Sequence, residues 1–239
     1  MMTPPIHDPA FVMAAGMVIS LLVSIMARAS IYRTSQGQSL LSLRLAFTFS
    51  AIPTIGIGLV ALMSSLDHLQ IVLAMSLCCF LAAAAIGDRE TGWAPPAMTL
   101  PTVLLAGLFG QQMGFWEYGP LTVVGLSFVL WIFCELFWVL LSRVVDLPPP
   151  PDLMAFALPV LFFPDLVTCA AFYILISLLL LICMKIPSLA IFFSKEEVVS
   201  DVACEIGVDI EDLQGSITFL FLTGPVTILF LAAIVAGIR

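Results

Sequence analysis

Four carboxylates stand where a charge is costly. Asp88 closes an apolar run in Ala85-Ile86-Gly87-Asp88-Arg89, Asp152 follows the prolines Pro148 to Pro151, and Asp146 lies just before them. Glu135 sits about two turns inside another apolar run. An ionisable group within or at the edge of a membrane span is a functional candidate by default. Two carboxylates within a few ångströms of each other share one proton and so supply an acid and a base together. The ionised member draws a proton from water, the protonated member hydrogen-bonds a scissile carbonyl, and water attacks with no covalent intermediate. Asp88 and Asp152, 64 residues apart in sequence, are the pair expected to do this work. An Asp152 that caps the helix after the prolines benefits from its positive end and is assigned as the base; Asp88, at a helix C-terminal end, is the acid. Taken singly, each also fits a plainer role, Asp88 as an interfacial anchor beside Arg89 and Asp152 as a helix cap.

The elements that must position these groups are membrane helices. Of 239 residues, 62% are hydrophobic and only 10% charged, and the mean hydropathy is +1.17, far from a water-facing surface. Apolar runs near the length that crosses a bilayer predict an all-α, polytopic helical membrane protein with about eight transmembrane segments. They cover 11–27, 45–63, 70–87, 98–114, 121–141, 153–163, 166–184 and 217–238. The sixth, bounded by Pro151 and Pro164, is short enough to be a re-entrant segment. The chain divides into a two-span region, 1–68, and a membrane core, 69–239, with an acidic segment at 194–214. Lys and Arg collect in cytoplasmic loops. With both termini outside, Arg28, Arg33, Arg44, Arg89, Arg143, Lys185 and Lys195 fall inside and only Arg239 falls outside. Ala27-Arg28-Ala29 resembles a signal-peptidase site, but no basic residue precedes it and cleavage would reverse that charge bias, so the first span is expected to be retained. A net charge of −8 leaves no basic face for nucleic acid.

Other residues have quieter readings. The six cysteines form no CxxC pair and are expected as buried free thiols, without disulfide frame or zinc cluster. Glu135 has Trp131 four residues before it and Trp138 three after, on one helical face, and serves either a proton or substrate role or a hydrogen bond to another span. His68 is expected in an outer loop. Phe115, Trp116 and Tyr118, with Trp93 at the other side, read as an aromatic belt. Gly56 and Gly58 with Pro53 point to close helix contact or a kink, and the methionines to lipid-facing filler. Residues 194–214 carry seven acids and one Lys, with Val198, Val199, Val202, Ala203 and Ile206 at helical spacing, a pattern for an acidic amphipathic helix.

In order, these residues resemble the type IV prepilin peptidases, membrane aspartyl proteases, in a short form without the zinc module. In that family an Asp at the cytoplasmic end of a span is followed seven residues later by the Pro of an Ile-Pro-(Asn/Asp)-x-Leu-Thr segment. Here Asp88 is followed by Pro95 in Ala94-Pro95-Pro96-Ala97-Met98-Thr99-Leu100-Pro101, where Pro95, Thr99, Leu100 and Pro101 match and Ala94, Pro96 and Met98 depart. The family's GxGD followed by x-Lys falls on Pro149-Pro150-Pro151-Asp152-Leu153-Met154, of which the aspartate alone is kept. A closing Phe-Gly-Pro is similar to Thr223-Gly224-Pro225. The resemblance covers roughly residues 69 to 239. It implies removal of a short basic leader from pilin-like precursors at the cytoplasmic face of a bacterial inner membrane, with catalytic Asp88 and Asp152. It also implies a substrate-binding part for Pro95, Glu135, Gly224 and Pro225, no metal or other cofactor, and pilus or secretion machinery as a partner. Methyl transfer, which longer members perform, has no support in these residues. Two other readings compete: an inactive membrane subunit of a pilus or secretion assembly, and a small proton-coupled transporter using Asp88, Glu135 and Asp152.

Overall fold

The first five helices begin where a side chain or a proline can start one. The computed structural model describes residues 8–34, 42–91, 94, 96–115, 117–144, 166–186, 188 and 219–237. The Asp8 carboxylate accepts from Ala10 N–H at 2.9 Å and Pro9 takes the first position of α1 (Pro9–Thr34), where its missing N–H costs nothing. Ser42 Oγ accepts from Leu45 N–H at 3.1 Å and opens α2 (Leu43–Leu62). Asp67 and Gln70 cap each other reciprocally ahead of α3 (His68–Thr91): Gln70 N–H donates to Asp67 Oδ1 at 2.8 Å and Asp67 N–H to Gln70 Oε1 at 2.9 Å. Prolines again stand first in α4 (Pro96–Gln112) and α5 (Pro120–Val144). Two further helices are α6 (Leu166–Lys185) and α7 (Phe219–Val235). Gly114, at φ +78°, stops α4 in a Schellman turn, with Phe115 N–H donating to Gly110 C=O and Gly114 N–H to Gln111 C=O.

These seven helices cover seven of the eight expected apolar runs; the eighth, 153–163, lies outside the described residues. Three of them, over Pro9–Tyr32, Leu43–Leu62 and His68–Glu90, are long and apolar enough to cross a membrane. The protein is therefore a helical membrane protein. Polar and charged residues mark the boundaries. Arg28 stands twenty residues after Asp8, Ser64 twenty after Arg44 and Asp88 twenty-one after Asp67, each interval rising about 30 Å, the thickness of the hydrocarbon core. His68 opens α3, where a loop was expected, because the Asp67–Gln70 cap starts the helix earlier; its ring packs edge-on against Phe11, with centroids 5.6 Å apart.

Along the first five helices, consecutive elements run antiparallel. Gln70 Nε2, at the start of α3, donates to Gln112 C=O at the end of α4, and the Schellman turn sends α5 back along α4. The central element is α3, which touches α1, α2, α4 and α7. Of its spanning window 67% is buried, against 33% in α1 and 39% in α2, and it is accordingly apolar all round. Met75, fully buried, lies against two glycines. A Cβ on Gly16 would sit 2.8 Å from Met75 Cε, and one on Gly58 would sit 3.2 Å from it and 2.5 Å from Val12 Cγ1. Small residues let three helices meet there without a hydrophobic drive between them. Gly58 thus makes the close contact expected of it, whereas Gly56 has nothing within 4 Å. The methionines divide likewise: Met13, Met17 and Met26 face outward, while Met75 and Met98 are core. Each proline inside a helix has a nearby threonine that bonds a carbonyl in its turn, Thr54 to Ser50, Thr102 to Met98 and Thr227 to Thr223. Such bonds satisfy the threonine hydroxyls, which lipid cannot.

Candidate functional site

Asp88 lies in the last turns of α3, one turn beyond Ala85, and is buried with 3% of its surface exposed. A carboxylate so enclosed within the central helix is costly to keep. Two neighbouring elements reach this end of α3. α7 crosses it at Gly224, where a Cβ would come within 3.0 Å of Ala85 Cβ. The glycine is needed for that approach, and it brings buried Thr223 to the same level, its hydroxyl without a hydrogen-bond partner. Pro225, next in sequence, is exposed. Ala94, ahead of α4, and Met98 and Thr99 in its first turn are buried. Thr99 Oγ1 accepts from Trp131 Nε1 at 3.1 Å, which ties α4 to α5.

Of the residues expected to form a site, Asp88 and Gly224 are therefore brought to one end of one helix pair, and Pro225 turns away from it. Glu135 lies on α5 one turn beyond Trp131; its side chain, like Pro95, Asp146 and Asp152, lies outside the described residues. Sequence reasoning did not single out Thr223, or the Thr99–Trp131 bond. The latter had a signal, since a tryptophan inside a span needs an acceptor for its N–H.

The basic residues share this end. Alternation of the first helices puts Arg28 at the end of α1, Arg44 at the start of α2 and Arg89 beside Asp88 on one side of the bundle, and the contact of Phe172, near the start of α6, with Phe230, near the end of α7, puts Lys185 there too. The opposite side holds Asp8, Asp67 and Glu117, with no Lys or Arg among the described residues. Asp88 is thus a buried acid at the basic rim. Such a placement can hold a proton next to solvent while presenting it to a chain that enters from lipid. Among the described residues no three His, Cys, Asp or Glu side chains gather as a metal site would require. No family model, curated protein or solved structure matches the chain.

Proposed function

We propose that the chain is an aspartyl endopeptidase of the prepilin-peptidase kind, a membrane core of about eight spans that removes a short basic leader from pilin-like precursors. The observation that carries this reading is Asp88, enclosed at the basic end of the central spanning helix, with Gly224 of α7 packed one turn away. Asp88 is the acid that hydrogen-bonds the scissile carbonyl, and Asp152 is the base that activates water. The dyad works at the cytoplasmic face of a bacterial inner membrane, where a basic leader meets an apolar helix, and both termini lie on the opposite side. Glu135 and Pro95 line the path of the precursor, and Gly224 holds α7 against the Asp88 end of α3.

The test is cleavage of a precursor with a basic leader, co-reconstituted with the full chain in phospholipid vesicles. Wild type cuts at the leader junction, and Asp88→Asn or Asp152→Asn each lowers the rate by about 10²–10⁴-fold, the usual contribution of a general acid or base. Equal rates in wild type and both variants would end the dyad, and a wild type that never cuts would leave a scaffold subunit.

A further inference from the structure

Between α1 and α2, on the outer surface, runs a groove of about 460 Å³ lined by Met17, Val18, Leu21, Leu43, Arg44 and Phe47. Its surface is apolar throughout, so Arg44 contributes the aliphatic stem of its side chain and carries its guanidinium to the rim. Met17, Val18 and Leu21 are 47%, 57% and 46% exposed, an open wall and not part of the core.

The groove has a charged end and a depth. Arg28 lies seven residues beyond Leu21 and eleven beyond Met17, which puts all three on one stripe of α1. From Met17 to Arg28 the helix rises about 16 Å, close to the hydrocarbon depth of a single leaflet, half of about 30 Å. Val12 faces Gly58 and Gly16 faces Ile55, and the same antiparallel register carried along α1 brings Arg28 level with the start of α2, where Arg44 stands. Two exposed guanidinium groups therefore flank the mouth of a slot that reaches from the membrane boundary to about the bilayer midplane. Neither makes an ion pair among the described residues.

We infer that this groove is a binding site for an anionic phospholipid, its phosphate held between Arg28 and Arg44 and one acyl chain lying along Met17, Val18, Leu21 and Phe47. The charge of the rim selects an acidic headgroup, because guanidinium groups bind phosphate by paired hydrogen bonds. The apolar wall alone would take any lipid tail, so selectivity separates this reading from ordinary solvation by the bilayer. It is independent of the dyad: it requires only that α1 and α2 cross the membrane.

Native mass spectrometry of the full chain, released from detergent in equal amounts of phosphatidylglycerol and phosphatidylcholine with identical chains, tests it. Wild type retains phosphatidylglycerol in preference. Arg28→Gln and Arg44→Gln each reduce that preference about fivefold, the worth of one basic residue at an anionic surface. Leu21→Trp, which fills the slot at an exposed position, lowers retention of both lipids, whereas Leu59→Trp, elsewhere on α2, leaves both unchanged. Equal retention of the two lipids by wild type would overturn the site, as would an unaltered preference in the Arg28→Gln, Arg44→Gln double variant. Loss of retention in Leu59→Trp equal to that in Leu21→Trp would also overturn it.

Discussion

At Gly107 the helices α4 and α5 approach so closely that an added methyl group would run into the Ser127 hydroxyl and lie 3.1 Å from Val123 Cγ1. That hydroxyl is buried and has no hydrogen-bond partner. Gly107→Ala is expected to destabilise by about 1–3 kcal/mol through overpacking. Ser127→Ala, which removes an unsatisfied buried group, is neutral or stabilising on its own and returns part of the loss in the double variant. Unfolding midpoints of the four proteins in one detergent measure this, and strict additivity would mean the two residues do not oppose each other. Asp88 behaves differently. Asp88→Asn keeps the shape of a side chain that is 3% exposed, so the folded fraction is expected to persist while cleavage is lost. A variant that instead fails to accumulate in the membrane would make Asp88 a structural group.

Helix boundaries follow from local chemistry, and there the sequence is most readable. Apolar length predicted α1 to α7 because lipid, as a solvent, penalises any charge within a span and tolerates only hydrogen-bonded backbone. Asp67 shows where the reading stopped short: its reciprocal bonds with Gln70 start α3 two residues before the apolar run, and so moved His68 out of the expected loop. Asp67→Ala is expected to cost about 1 kcal/mol of stability, and Gly114→Ala about as much, since a Cβ is disfavoured at positive φ. Thermal unfolding in detergent checks both. Helix partners were harder to read. Nothing in composition separates Gly56, which faces open space, from Gly58, which meets Val12 and Met75, because among apolar helices the choice of partner rests on shape. Asp88 was identifiable because a charge at the end of an apolar run stands out, whereas Thr223 did not, a small hydroxyl being common in spans.

Taken together, the described Lys and Arg gather at one end, Arg28, Arg44, Arg89 and Lys185 beside the acids Asp88 and Glu90, while Asp8, Asp67 and Glu117 stand at the other. Such a bias sets orientation during insertion. Replacing Arg28, Arg44 and Arg89 together by Gln is expected to yield a mixture of orientations, read by protease accessibility of an N-terminal tag in sealed vesicles. A single unchanged orientation would assign control to residues nearer the C-terminus. Seven acids lie from Glu196 to Asp212 in the sequence. If they attract basic leaders by charge, neutralising them raises KM at low salt and matters little at high salt; turnover unaffected at low salt would dismiss that role.

The Gln70–Gln112 bond carries one more consequence. It staples the beginning of α3 to the finish of α4, directly beside the Schellman turn and the reciprocal Asp67 cap. The two rods are thus held at both ends, by this bond at the acidic rim and by the short connection from Thr91 to Pro96 at the end where Asp88 resides. Cutting the staple with Gln70→Ala would therefore loosen the hairpin only at the acidic rim and leave the Asp88 end tied by the chain itself.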